Sequence, residues 1–308
     1  MILSASRRTD IPAFYTPWFM NRVNEGFLYV RNPFNAHQIR KIPLNSSDVQ
    51  AIVFWTRNPE PLIMHLQRLN DFGFKYYFQY TITGYPKALE RAVPRPLSAI
   101  ETFKKLSEAI GSGKVVWRYD PILISNLTDY DEHRRRFEKI SEALSGFTKR
   151  IVVSFADFYK KTETGLKCIP NFNYKDALDD LENTRKLALF MANIAKTHGM
   201  SIQTCSEAQD FSPWGIPNGK CIDDELLQKE FGITISSTKD SGQREECGCI
   251  KSIDIGQYNT CLHGCSYCYA TYSTATVKNN RMRHDPNSPF LIGPPESPSH
   301  EPQQGELL

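Results

Sequence analysis

Short apolar runs alternate with longer amphipathic stretches through most of this 308-residue chain, and few folds accommodate that order. The apolar runs, rich in β-branched and aromatic residues, predict strands at residues 2–6, 51–55, 76–82, 115–119, 150–155, 201–205 and 252–255. Between them, apolar residues at helical spacing predict helices at residues 59–71, 97–110, 129–144 and 176–198. Repeated strand–helix units of this kind indicate a parallel sheet covered by helices, which is an α/β fold.

The number of strand–helix units favours a closed or partial TIM-type β/α barrel over an open doubly wound sheet. None of the strands is followed by a G-x-G-x-x-G or G-x-x-x-x-G-K-[ST] loop, which argues against a nucleotide-binding fold of the usual kinds. Residues 27–30 and 39–44 predict an added hairpin. We expect one barrel domain over residues 1–283, with a cysteine-containing excursion at about 205–249, followed by a proline-rich extended tail over 284–308.

The composition is that of an ordinary globular protein, with 40% hydrophobic and 23% charged residues. No segment approaches the roughly 18–20 apolar residues of a membrane helix. The N-terminal sequence MILSASRRTDIP lacks the pattern of a secretory signal, so we expect a cytoplasmic protein with no membrane partner. A formal net charge of +3 neither requires nor excludes a nucleic-acid partner.

The first six predicted strands each end in a polar cluster, at residues 4–10, 55–58, 79–83, 117–120, 154–157 and 204–207. In a β/α barrel, the loops that follow the strands gather on one face, where active sites lie. Helix capping explains some of these clusters, but six in succession predict one polar active-site mouth. We expect the aromatic residues Trp55, Trp117 and Tyr80 to pack within the barrel.

Five of the eight cysteines lie between Cys247 and Cys268, which favours metal or redox chemistry over structural disulfides in a cytosolic chain. Cys261, Cys265 and Cys268 form a C-x3-C-x2-C motif just after the last predicted strand. Three thiolates at this spacing suit three corners of a four-iron–four-sulfur cluster and leave its fourth iron open. A zinc site, which normally takes four protein ligands, and three unrelated thiols are the alternatives.

This motif, with Tyr267 directly before the third cysteine, resembles the cluster loop of radical S-adenosylmethionine (SAM) enzymes. Nearly the whole chain, from ASRRTDIPAFY through WTRNP and WRYDPI to DIGQYNTCLHGCSYCYA, resembles the uncharacterised bacterial family DUF1848. The first resemblance implies a cluster that binds SAM at its open iron and generates a 5′-deoxyadenosyl radical. In radical SAM enzymes the cluster loop follows the first barrel strand, whereas here it follows the last. The resemblance therefore implies a circularly permuted barrel with strands 252–255 and 2–6 as neighbours.

SAM needs a positive charge for its carboxylate, an acceptor for its amine, and hydroxyl or carboxamide partners for its ribose. Tyr267 matches a position close to the adenine, and we expect Arg118 to bind the carboxylate and Asp120 the amine. Ser154 and Gln79 are candidates to contact the ribose. An ion pair between Arg118 and Asp120 with a purely structural role is the alternative. An electron donor such as ferredoxin or flavodoxin is the implied partner.

Three residues at the predicted mouth are candidates for substrate recognition: Arg8, Asp10 and Thr56. For Asp10, capping of the segment that starts at Pro12 is the alternative. His263, inside the cysteine motif, is a candidate to hydrogen-bond a cluster sulfur, with an exposed position as the alternative. The sequence does not identify the substrate.

A second group of cysteines consists of Cys205, Cys221, Cys247 and Cys249. Four thiols are the right number for a closed site, either structural zinc or an auxiliary iron–sulfur cluster. The alternative is two buried thiols and a C-x-C turn with no shared metal. Cys168 stands alone in the sequence, and we expect it to be inert.

These observations favour a radical SAM-type enzyme with a four-iron–four-sulfur cluster, SAM and an unknown substrate. A non-catalytic or electron-transfer protein that binds an iron–sulfur cluster or zinc is the second interpretation. The third is a nucleic-acid repair enzyme that resembles the radical SAM photoproduct lyases.

Overall fold

The apolar runs form a seven-stranded sheet in the computed structural model, which describes residues 1–293. The strands are β1 (Ile2–Ala5), β2 (Phe27–Asn32), β3 (Asn35–Pro43), β4 (Ala51–Thr56), β5 (Tyr76–Thr81), β6 (Val115–Ile122), β7 (Arg150–Phe155), β8 (Ser201–Thr204) and β9 (Ile253–Asp254). The sheet has the order β8-β7-β6-β5-β4-β1-β9, and every neighbouring pair is parallel. Strands β2 and β3 form the predicted hairpin. The α/β prediction is therefore confirmed.

The helices are α1 (Ile11–Phe14), α2 (Thr16–Glu25), α3 (Glu60–Ile63), α4 (Leu66–Asp71), α5 (Pro96–Ile110), α6 (Tyr130–Leu144), α7 (Lys160–Leu166), α8 (Leu181–Thr197), α9 (Asp224–Phe231) and α10 (Thr274–Met282). The single helix predicted at residues 59–71 is two short helices, α3 and α4. Its apolar face survives the break, because Leu62, Leu66 and Leu69 are all buried.

The two faces of the sheet have different coverings, since alternate side chains of a strand point to opposite faces. Phe54, Phe78 and Trp117 belong to the main core, together with buried residues of α2, α5, α6 and α8. Val53 and Val116, one position before Phe54 and Trp117, pack instead with residues of the 221–250 segment, including α9. Helices α2, α5, α6 and α8 thus pack on one face, and the predicted cysteine-containing excursion, with α9, packs on the other.

Strand β9 pairs with β1, which confirms the predicted neighbour relation between the strand before the cysteine motif and the first strand. The pairing joins Leu3 to Ile253 and Ser4 to Asp254. Within residues 1–293, β8 and β9 are the two edges of the sheet, so hydrogen bonds do not close it into a complete barrel.

One carboxylate fastens the short β9 to β1. Asp254 accepts hydrogen bonds from Ser6 Oγ at 2.6 Å, Ser4 Oγ at 3.2 Å, and the backbone N–H groups of Arg7 and Gly256, each at 2.9 Å. Because the ladder between these strands is only two residues long, these four hydrogen bonds hold the start of the loop that carries Cys261, Cys265 and Cys268.

Replacing Asp254 with alanine is expected to lower the free energy of unfolding by about 3 kcal/mol, because hydrogen bonds to a charged group contribute about 1.5–3 kcal/mol each and two backbone donors lose their partner. Urea unfolding of the variant measures the loss. Asp179→Ala, at an exposed aspartate, is the matched control and is expected to change stability by less than about 0.5 kcal/mol. Equal stabilities of the two variants would contradict this account of the β1–β9 connection.

The first part of the predicted extended tail packs against the N-terminal part of the chain. Trp18 Nε1 donates to the Ser288 carbonyl at 2.9 Å, and Tyr29 N donates to the Pro289 carbonyl at 2.9 Å. The rest of that predicted tail, residues 294–308, lies outside the described residues. None of the helices described in residues 1–293 combines the length and the apolar character needed to cross a membrane.

Candidate functional site

A cavity of about 700 Å³ lies at the carboxyl ends of the parallel strands. It is lined by the predicted polar residues at the strand ends and by the motif cysteines: Arg8, Asp10, Thr56, Arg118, Asp120, Ser154, Cys261, Cys265, Tyr267 and Cys268. The single mouth predicted from the strand ends therefore exists. Gln79 is the exception among the predicted site residues, since it is buried and does not line this cavity in the described part of the chain.

The segment 261–268, here called the three-cysteine loop, is held by residues 88–92, which follow β5. Ser266 N donates to the Leu89 carbonyl at 2.9 Å, and Ala92 N donates to the His263 carbonyl at 2.9 Å. Cys265 itself forms an antiparallel bridge with Glu90. Because backbone hydrogen bonds fix the loop on both sides of Cys265, its thiols are presented to the cavity from a rigid support.

The thiols of Cys261, Cys265 and Cys268 are free, as are all cysteines within residues 1–293. Burial raises the pKa of the Cys265 thiol to about 12, against the opposing effect of the Arg57 guanidinium, and burial also raises the pKa of Cys261. In the absence of a bound cation these two thiols are therefore protonated at neutral pH. A bound metal would displace those protons, because thiolates are the form that ligates metals.

A buried ion pair supports the three-cysteine loop from beneath. Arg57 Nη1 lies 2.7 Å from Glu90 Oε1, and Arg57 Nη2 donates to the Tyr267 hydroxyl at 2.7 Å. The Tyr267 hydroxyl donates to Glu90 in turn, and Thr83 Oγ1 donates to the same carboxylate at 2.6 Å. Glu90 is only 3% exposed, so its charge depends on Arg57 for compensation. These contacts anchor Tyr267 through its hydroxyl group.

Asp10 connects the three-cysteine loop to β1 and β4. Its carboxylate accepts from His263 Nε2 at 2.7 Å, from Thr56 Oγ1 at 2.8 Å, and from Arg57 N at 2.7 Å. It also caps α1 by accepting from Ala13 N at 2.9 Å, which is the capping alternative. The buried His263 ring bonds Asp10 through Nε2, while its Nδ1 has no hydrogen-bond partner within residues 1–293, so a bond to a cluster sulfur stays a prediction. Asp10 and Thr56 still line the cavity, and their role in substrate recognition stays a prediction.

Arg118 and Asp120 form the ion pair that was the alternative to SAM binding. Arg118 Nε donates to Asp120 Oδ2 at 3.0 Å, and Ser154 Oγ donates to the same carboxylate. Burial opposes ionisation of Asp120, but the Arg118 guanidinium and the Ser154 hydroxyl outweigh it and lower the pKa of this carboxyl. Gln79 accepts a hydrogen bond from Arg118 Nη1 at 3.4 Å. It therefore contacts Arg118 from behind the cavity wall and is not placed to contact a ribose.

Cys205, Cys221, Cys247 and Cys249, here called the cysteine quartet, also line the cavity. Cys221 Sγ donates to Cys205 Sγ at 3.0 Å, while Cys249 Sγ accepts from the N–H groups of Cys221 and Ile222 at 3.3 and 3.4 Å. Hydrogen bonds from Cys221 and Cys247, with help from the Arg7 guanidinium, hold the pKa of Cys249 well below its ordinary value. The fold thus brings together the four residues of the second predicted group.

Two arginines and one tryptophan lie between the cysteine groups. The guanidinium carbons of Arg7 and Arg118 each lie 5.0 Å from the centre of the Trp55 ring. Trp55 packs, half-buried, against the core beneath the 221–250 segment, as expected, and it also lines the cavity, whereas Trp117 and Tyr80 are fully buried. Arg118 Nη1 donates to Cys221 Sγ at 2.8 Å.

The donor chemistry of both cysteine groups fits a soft metal or an iron–sulfur cluster, because all seven thiols are unpaired and line one cavity. As the side chains stand, no three His, Cys, Asp or Glu residues within residues 1–293 surround a common metal position. Metal binding by either group therefore requires rotation of cysteine side chains.

The sequence of the chain matches the model of a protein family described as a domain of unknown function (DUF1848), over residues 2–270. The chain belongs to this family. The match begins at β1 and ends just past the three-cysteine loop, so it covers every strand and the whole cavity wall of this DUF1848 protein.

No curated protein matches this DUF1848 chain. Among solved structures, the crystal structure of a proposed alpha-L-fucosidase from Bacteroides thetaiotaomicron matches with a TM-score of 0.27 and 10% sequence identity. That match covers 70% of the DUF1848 chain and 80% of the other chain.

Sequence reasoning missed the role of Arg57 and Glu90 in this DUF1848 protein. Arg57 follows β4 in the polar cluster at residues 55–58, which was a usable signal. Glu90 lies nine residues beyond Thr81, the last residue of β5, and belongs to no local motif, so only the folded chain reveals its contact with Tyr267. Arg7 was visible as a mouth residue, but its proximity to the cysteine quartet was not.

Proposed function

We propose that this protein is a radical SAM-type enzyme, with the three-cysteine loop as the site of a four-iron–four-sulfur cluster. The observation that carries the proposal is the placement of the loop in the same cavity as Arg118, Asp120 and Ser154, at the carboxyl ends of the strands. If the metal site lay at the opposite end of the sheet, these side chains could not bind a ligand of the metal. A cluster here would instead face a polar wall suited to a charged cofactor.

We further propose that the sheet is a partial, circularly permuted β/α barrel. Strands β4 to β8 lie next to one another in the order of the sequence, and helices cover one face of the sheet. Both features support a sheet that curves around the cavity. The pairing of β9 with β1 supports the permutation, because it returns the strand before the cluster loop to the start of the order. The 205–249 excursion, which lies between β8 and β9 in the sequence, packs on the face of the sheet opposite to these helices.

Cys261, Cys265 and Cys268, which line the cavity, would hold the cluster. When bound, the cluster supplies the electron that cleaves SAM to the 5′-deoxyadenosyl radical. Arg118 binds the carboxylate of SAM and Asp120 accepts from its amine, so that SAM replaces the present ion pair between the two side chains. Tyr267 presents its ring to the adenine from a hydroxyl fixed by Arg57 and Glu90. Ser154 is placed for a ribose hydroxyl.

The cavity wall favours an anionic substrate. It contains seven Lys and Arg residues but only three Asp residues, and no Glu. Lys160 and Lys161 are exposed at its opening, while Arg8 lies further in, with its guanidinium carbon 5.4 Å from the Tyr258 ring centre. A surface of this sign attracts phosphate or carboxylate groups. Arg8, Asp10 and Thr56 remain the proposed substrate contacts.

The same basic opening supports the alternative of a nucleic-acid repair enzyme. Phosphates of a single strand would lie along Lys160, Lys161 and Arg244. An electron-transfer or zinc protein without SAM chemistry is the other alternative, and it would use the cysteines but not Arg118 or Ser154. The enzyme proposal also requires an electron donor in the cytoplasm, such as ferredoxin or flavodoxin.

Anaerobic purification followed by addition of SAM tests the proposal. We expect a brown protein whose electron paramagnetic resonance spectrum in the reduced state changes when SAM is added, and which forms 5′-deoxyadenosine with a strong reductant. A brown protein whose spectrum does not change when SAM is added would support the electron-transfer alternative. A colourless protein that contains zinc at the three-cysteine loop would overturn the proposal. Salt-sensitive binding of a short single-stranded DNA would favour the repair alternative.

A further inference from the structure

The cysteine quartet is assembled from three separate parts of the chain. Cys205 directly follows β8, Cys221 precedes α9, and Cys247 and Cys249 flank a glycine before β9. Cys221, Cys247 and Cys249 are buried, with exposed fractions of 0%, 7% and 2%. Free cysteines pack in cores as small apolar side chains, but four reduced thiols from three segments that also line one polar cavity are more than packing requires. Their grouping therefore calls for a chemical explanation.

Positively charged and N–H groups surround the sulfurs of the quartet. Arg118 Nη1 donates to Cys221 Sγ at 2.8 Å, and two backbone N–H groups donate to Cys249 Sγ. Arg7 lines the same cavity, where the Cys249 sulfur, the Asp254 carboxylate and the Cys221 sulfur raise the pKa of its guanidinium against the effect of burial. Its Nη2 atom is buried and has no hydrogen-bond partner within residues 1–293. This unpartnered N–H group of Arg7 can donate a hydrogen bond to a thiolate of the quartet.

We propose that the cysteine quartet binds a second metal centre through four thiolates, with Arg7 and Arg118 as its counter-charges. Four thiolates around one zinc ion, or around a four-iron–four-sulfur core of charge 2+, give a net charge of about −2 in either case. Arg7 and Arg118 lie beside that charge, and Arg118 also keeps its ion pair with Asp120. The inference goes beyond the proposed function, because it requires neither SAM nor a cluster at the three-cysteine loop.

The two candidate centres share this chemistry but differ in the spacing of their sulfurs. Sulfurs bound to one zinc ion at about 2.3 Å lie about 3.8 Å apart, because the geometry is tetrahedral. The four cysteines of a cubane bind four different irons and lie further apart. The Cys205 and Cys221 sulfurs are 3.0 Å apart, so a small side-chain rotation reaches the zinc spacing and a larger one the cluster spacing. Each thiol loses its proton on binding.

The test measures metals in a variant that retains the quartet. In the full-length triple variant Cys261→Ala, Cys265→Ala, Cys268→Ala, purified without oxygen, we expect either about one zinc or about four irons with four sulfides per chain. Zinc identifies the structural form of the centre and iron with sulfide the redox form. A folded triple variant without zinc or iron would overturn the proposal, as would a disulfide between Cys205 and Cys221 found by mass spectrometry of the metal-free protein.

Variants of the quartet give the complementary result. Cys221→Ser and Cys249→Ser are expected to lose that zinc, or those four irons, while retaining the metal at the three-cysteine loop. Cys168→Ser, at an exposed cysteine outside both groups, is the matched control and is expected to keep the full metal content. Failure of the proposed function would show as a missing response to SAM. Failure of this inference would show as unchanged metal content in both quartet variants.

Discussion

Loss of about four irons and four sulfides per chain is expected when Cys261, Cys265 and Cys268 are replaced together by alanine. Formation of 5′-deoxyadenosine is expected to fall to the level of a reaction without protein. A cluster with three protein ligands cannot persist when none of them remains, and the SAM-binding iron disappears with it. Iron and sulfide analysis and product detection by mass spectrometry measure the two effects.

The control for the triple variant must separate loss of the cluster from loss of the fold. Circular dichroism of the variant is expected to match the parent protein, because residues 88–92 hold the loop mainly through its backbone. Cys168→Ala is expected to retain iron, sulfide and activity, since this cysteine lies outside the cavity lining. Unchanged iron in a folded triple variant would show that the cluster is bound elsewhere.

Replacing Arg57 with leucine is expected to destabilise the protein by about 3–5 kcal/mol, because removing one partner of a buried ion pair leaves the other charge uncompensated. Arg57 and Glu90 have side chains that are 13% and 3% exposed, so water cannot take the place of the lost guanidinium at Glu90. The Tyr267 hydroxyl loses a hydrogen-bond donor as well. Urea unfolding is the measurement, and weaker binding of SAM by the variant is a second expected effect.

Arg135→Leu is the matched control for Arg57→Leu. Arg135 also pairs with a glutamate, Glu132, but its side chain is 51% exposed on α6. Exposed pairs of this kind contribute about 0.2–1 kcal/mol, so the control is expected to change stability by less than about 1 kcal/mol. If both arginine variants lost the same small amount of stability, the ion pair beneath the three-cysteine loop would have no special importance.

The sheet strands were predictable because each is a short run of buried apolar residues with polar residues at its end. For example, Arg150–Phe155 was predicted with its observed bounds. The helix at residues 59–71 was predicted as continuous because Leu62, Leu66 and Leu69 keep one apolar face through the break after Ile63. Apolar spacing reports which side chains are buried, and it is insensitive to a local change of backbone direction.

The cavity was predictable to the same extent, because the carboxyl ends of parallel strands meet at one edge. That argument correctly predicted that Arg118 and Ser154 line the same cavity as the motif cysteines. It failed for Gln79, since strand alternation and the path of the 205–249 excursion decide whether a side chain reaches the cavity or lies beneath it. The role of Glu90 could not be predicted from the sequence, because its contacts depend on how two distant loops meet.

The order of the strands has a consequence for how the protein is made. β9 is translated after β1 to β8, so one edge of β1 has no partner strand while about 250 residues are added. At ordinary rates of synthesis this takes about 10–50 s. During that time the bare edge can pair with other strands unless it is protected. The three-cysteine loop emerges only after most of the sheet can already have formed. Delivery of the proposed cluster would therefore belong to the end of biogenesis, after most of the protein has folded.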